Sequence, residues 1–214
     1  LNTLSLSFGN TDIIKAIVTK HIDYHIPDLI KINLEGKLLP QSNAKDIALF
    51  LKNKLDDYDF KHFAIEFSGS FFDSAHQNEL HTLSFHHYAL NAQTFLFPPS
   101  IYRSNNSKVI QAEANAQYKK ELRFDISKLE PMVKLKQQVY FLSDLEHLKI
   151  SKIFIGNTIG GTLMDLQFLA KILKNKQVQL PTYITPASAE ILKQATEKGF
   201  LTTILQAGCR LLTP

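Results

Sequence analysis

Cysteine is almost absent from this chain of 214 residues, in which Cys209 stands alone. One thiol excludes an internal disulfide and cannot by itself hold an iron–sulfur cluster. It fits a cytoplasmic protein. Tryptophan is missing, and arginine occurs only as Arg103, Arg123 and Arg210. The net charge of +4 therefore rests on scattered lysine. That is a solvated surface, without the arginine cluster or aromatic–basic stripe of a nucleic-acid face. No apolar run approaches the roughly 20 residues of a membrane helix, and no basic-plus-apolar leader stands at the start. Neither a nucleic acid nor a membrane is expected as partner. The first residue is Leu1 rather than methionine, which suggests processing or excision from a longer protein.

What is present is a foldable chain. Hydrophobic residues make up 44% and charged residues 21%, enough for one large core or two small ones. Helix-like and strand-like segments alternate along the whole length. Thr11-Asp12 precedes Ile13, Ile14, Ala16, Ile17 and Val18, the pattern of a capped helix with one apolar face. Leu29 to Leu34 alternates Ile30, Ile32 and Leu34 with polar neighbours, a half-buried strand. Ser42 or Asn43 is placed to cap a helix from Ala44 to Lys54. Phe63 to Phe67 reads as a strand, Ala75 to Leu90 as a helix, and Thr94 to Phe97 as a short apolar stretch.

Ser104 to Ser107 is polar and without period, a linker. Two subdomains, 1–105 and 106–214, are expected on either side of it. Beyond it, Glu121 to Ile126 reads as a strand and Leu129 to Val133 as its exit. Then comes a βα series: strand Lys152–Ile155, helix Leu163–Leu173, strand Thr182–Ile184, helix Ala187–Lys198, and a strand near Thr202–Leu205. Such alternation implies parallel pairing. The expected class is α/β, in three α/β/α layers with mostly parallel sheets and two lobes.

Several segments, in order, resemble the aconitase and 3-isopropylmalate dehydratase large-subunit family. They are Lys31-Ile32-Asn33-Leu34-Glu35-Gly36-Lys37-Leu38, Ala44-Lys45-Asp46-Ile47, and Phe63-Ala64-Ile65-Glu66-Phe67-Ser68-Gly69. Gln117-Tyr118 with Phe124-Asp125-Ile126-Ser127-Lys128-Leu129-Glu130-Pro131 follows. Phe154-Ile155-Gly156, Asp165-Leu166, Pro186-Ala187-Ser188 and Gln206-Ala207-Gly208 complete the series. The resemblance implies an aconitase-like fold and a hydro-lyase ancestry. It also implies a four-iron four-sulfur cluster, held by a cysteine in the turn after Gly156, with one iron acting as Lewis acid on the substrate hydroxyl.

The sequence departs from that pattern where the chemistry sits. The loop that in the family reads Ser-Cys-Thr-Asn, then Gly or Ser, then Arg, is here Asn157-Thr158-Ile159-Gly160-Gly161-Thr162. A neutral alcohol replaces a thiolate at Thr158, a poor exchange at iron. Thr162 replaces an arginine, removing a permanent charge and its fork. An asparagine and a glutamate of the family fall on Phe85 and Ala89.

The expectation is therefore a degenerate module with no catalytic residue, no metal ligand and no cofactor, acting as a binding or structural domain. Its partners would be the rest of a longer chain or a catalytic homologue. Asn157, Thr158, Gly160, Gly161 and Thr162 remain the candidate residues for a small organic acid. A glycine turn ahead of a helix N-terminus offers N–H groups to an anion. Two alternatives stand beside this, a fragment of an active iron–sulfur hydro-lyase and a small organic-acid binding module.

Other residues carry blander expectations. His21 and His25, four apart, and His81, His86 and His87 read as surface or interface residues rather than metal ligands. Cys209 reads as a small buried thiol, Ser188 as a helix cap, and Phe71 and Phe72 as core.

Overall fold

The computed structural model describes residues 9–86, 90–98, 112–113, 115–145, 148–157 and 159–214. The chain forms two compact units, Leu1–Leu145 and Glu146–Pro214. The Ser104–Ser107 linker, His87, Ala89 and Thr158 lie outside the described residues.

The first unit is built on a parallel sheet. Strands β1 (Asp28–Glu35), β2 (Phe63–Ser68), β3 (Thr94–Leu96) and β4 (Lys120–Asp125) lie in the order β3-β2-β1-β4. The chain steps outward from β1 to β3, then returns to the far side of β1. The expected boundary at 105/106 accordingly falls inside the first unit, because β4 pairs along β1 from Ile30↔Lys120 to Glu35↔Asp125. Ile30, Ile32 and Leu34 alternate inward and are buried with Ile65 and Phe67 of β2.

Helices α2 (Ala44–Lys54) and α3 (Gln77–Phe85) join that core through Ile47, Leu51, Leu80 and Leu83. Asn43 is the cap of α2: its side chain accepts from Lys45 N at 2.8 Å, and Asp46 Oδ2 accepts from Asn43 N at 2.7 Å. Phe71 and Phe72 are buried in a 3₁₀ turn at Ser70–Asp73. The exit expected at Leu129–Val133 is instead the start of an antiparallel hairpin, β5 (Met132–Leu135) with β6 (Gln138–Phe141). Helix α1 (Asn10–Thr19) contributes no buried residue, and Ile13, Ile14, Ile17 and Val18 are exposed.

The second unit carries β7 (Ile153–Gly156), β8 (Thr182–Thr185) and β9 (Arg210–Leu211), all parallel, in that order. Helices α4 (Leu163–Leu173), α5 (Ala189–Glu197) and α6 (Phe200–Gln206) share one core with Ile184 through Leu166, Ala170, Ala195, Leu201 and Ile204. The strand expected near Thr202–Leu205 is thus a helix, and the closing strand lies later. β-branched Thr202, Thr203 and Ile204 favour strand locally. Burial of Leu201 and Ile204, three apart, turns that face inward as a helix, so packing overrides propensity. Ser188 caps α5, its hydroxyl accepting from Ile191 N at 3.2 Å. The α/β class with mostly parallel sheets stands.

Candidate functional site

The turn after β7 begins at Asn157, exposed and in the left-handed region at φ 62°. Its carbonyl accepts from both Gly160 N at 3.2 Å and Gly161 N at 2.8 Å. Asn157 N donates to Thr185 O at 3.3 Å, and Gly161 O accepts from Ala187 N at 2.9 Å. The turn is thereby tied to the end of β8 and the approach to α5. Gly161 is buried against that backbone: a Cβ there would lie 2.2 Å from Thr185 O. The glycines serve close approach, and their N–H groups are spent within the turn.

Thr162 is the N-cap of α4. Its hydroxyl donates to Asp165 Oδ2 at 2.6 Å and accepts from Asp165 N at 3.3 Å, while Thr162 N donates to Asp165 Oδ2 at 3.1 Å. A carboxylate already occupies the positive end of this helix, which is where a bound anion would otherwise gain most. Of the five candidate residues, Asn157, Gly160, Gly161 and Thr162 come together in one turn.

Phe85 closes α3 with 44% of its surface exposed. His86, beside it, has Nδ1 2.6 Å from Thr82 O, and burial pushes its imidazole below its ordinary pKa. Cys209 is buried in the second core, where desolvation pushes its thiol up. A buried, protonated thiol is a weak ligand and a weak nucleophile.

A second polar region lies on the outward face of the first sheet, and motif comparison did not single it out. Register sets Lys31 between Glu66 and Glu121, Asn33 between Ser68 and Arg123, and Glu35 beside Asp125. Glu35 Oε2 accepts from the Ser70 hydroxyl at 2.6 Å and from Ser70 N at 3.2 Å, and Arg123 Nη2 stands 3.4 Å from Oε1. The Ser70 hydroxyl, with its N–H and then Arg123, holds the Glu35 carboxyl below its usual range. Tyr118 donates to Glu66 Oε1 at 3.0 Å, and burial together with that carboxylate pushes its phenol up to about 12. Lys31 Nζ lies 4.9 Å from the centre of the Tyr118 ring. The signal was the polar half of the β1 alternation. The partners on β2 and β4 come from pairing across 35 and 90 positions, which no local pattern reveals.

Among the described residues no helix is long and apolar enough to cross a membrane, and no three His, Cys, Asp or Glu side chains converge as a metal site.

Residues 1–100 match the model of the aconitase family (aconitate hydratase). The chain is 29% identical over 228 residues to the 3-isopropylmalate dehydratase large subunit of Elusimicrobium minutum, covering 100% of this chain and 54% of that protein. It is 29% identical over 212 residues to the large subunit of the same name from Sulfurisphaera tokodaii, with 94% and 51% covered. It is also 29% identical over 217 residues to the probable methanogen homoaconitase large subunit of Methanosarcina mazei, with 96% and 56% covered. The chain spans about half the length of the curated relatives it matches.

These relatives correct one expectation. A cofactor-free chain was anticipated, whereas matches to dehydratase and homoaconitase large subunits point to the four-iron four-sulfur cluster of this family of hydro-lyases. The expectation rested on Thr158 at the ligand position and on the single cysteine of these 214 residues, which span about half of each relative. The described residues do not make that site: Cys209 is 5% exposed inside an apolar core, and no other cysteine exists in these 214 residues. Thiolates for a cluster would have to come from beyond them. With matched segments spread over the whole chain and relatives of one kind, this chain is similar to the large subunits of the aconitase and 3-isopropylmalate dehydratase family.

Proposed function

We propose that these 214 residues act as a binding and structural module of aconitase-type hydro-lyase architecture and do not by themselves turn over substrate. The observation that carries this is the Thr162–Asp165 capping box, at the position where the family's arginine would meet a substrate carboxylate. A fixed positive charge is replaced by a hydroxyl already engaged, and the helix end is neutralised by Asp165. The Gly160 and Gly161 N–H groups turn inward to Asn157 O. A carboxylate arriving there meets no cationic side chain of the turn itself, and the N–H groups of Gly160, Gly161 and Thr162 are already taken. Phe85 stands where a polar active-site group is expected from the resemblance. A cytoplasmic setting, suggested by the single cysteine, belongs to the same proposal, as does a partner in the remainder of a longer chain or a catalytic homologue.

The coverage of about half of each relative favours a second reading, in which the module is one part of a working dehydratase. Hydration assays with isopropylmaleate and aconitate, and calorimetry with citrate and isopropylmalate, test the first reading. No turnover and no heat are expected from the 214-residue chain. Turnover by this chain would overturn the proposal, and activity confined to a longer chain containing it would establish the second reading.

A further inference from the structure

We draw no further inference here: the strongest candidate, the exposed apolar stripe of Met164, Phe168 and Ile172 on the side of α4 turned away from the second core, carries nothing because nothing in the structure shows what covers it.

Discussion

Thr162 and Asp165 hold each other at the start of α4: one hydroxyl both donates to the carboxylate at 2.6 Å and accepts from its backbone N–H at 3.3 Å. Replacing Thr162 with alanine removes the cap and should cost about 1 kcal/mol of stability. Thr162→Ser keeps the hydroxyl and should lie within a few tenths of the parent. Thr162→Arg, which restores the family's residue, should be destabilised like alanine and should gain no hydration activity in this chain. Urea unfolding curves for the three variants, with an isopropylmaleate assay on the third, check these outcomes.

Asp46 ties the first turn of α2 to the hairpin. Its carboxylate is buried and accepts from Asn43 N at 2.7 Å and from Met132 N at 2.8 Å. Asp46→Ala would strand a buried Met132 N–H and uncap α2, a loss of about 3 kcal/mol. Asp46→Asn keeps an acceptor for one of the two donors and should cost roughly half as much. A denaturant midpoint that barely moves for alanine would show that the hairpin is held by other contacts.

Glu35 gives the first unit a pH dependence with a definite sign. The Ser70 hydroxyl and N–H, then Arg123, lower the folded-state pKa of this carboxyl below its unfolded value. Its contribution to stability is therefore complete above the ordinary glutamate pKa of about 4.3, and it is lost as pH falls through the lower folded value. Carboxyl ¹³C titration should give Glu35 a midpoint below the ordinary range, rising toward it in Ser70→Ala. Glu35→Gln should be less stable than the parent near neutrality and converge with it in acid. A midpoint at or above the ordinary value would mean that the Ser70 contacts do not persist in solution.

Elements that announce themselves locally were legible in the sequence. The alternation of Ile30, Ile32 and Leu34 placed β1 to within a residue, and the βα series placed α4 at Leu163–Leu173. Asn43 and Ser188 cap as their side chains suggest. What failed was long-range or context-bound. β4 joins the first sheet although the preceding polar segment looked like a domain boundary. Thr202–Leu205 is helical because the second core needs Leu201 and Ile204 on one side. At the candidate turn, motif comparison drew attention to Asn157–Thr162. It could not show that Asn157 O and Asp165 already satisfy the groups an anion would use. The polar face around Asn33 went unnoticed as a unit because its members sit on three strands.

Gly161 and Gly199 separate two reasons for glycine, and substitution should tell them apart. At Gly199, φ is +74° and a Cβ would have nothing within 4 Å. Alanine there pays only the left-handed backbone penalty of about 1–2 kcal/mol, and Asn, which tolerates that region, should pay less. At Gly161 no left-handed φ is involved, but a Cβ would meet Thr185 O at 2.2 Å, Ala187 N at 2.9 Å and Asn157 O at 3.0 Å. All three contacts are backbone, so no side chain can swing away. Accommodating the methyl means moving the turn off the end of β8, which strains the Ala187 N to Gly161 O bond and the start of α5. Overpacking of this kind costs about 1–3 kcal/mol and more where the surroundings cannot shift. Gly161→Ala should therefore be the more destabilised variant, and Gly161→Asn should be worse still, reversing the order expected at Gly199. Parallel unfolding curves for Ala and Asn at both positions measure this. If Asn proves better than Ala at Gly161 as well, the backbone there is left-handed in solution and the close approach to Thr185 is not what excludes a side chain.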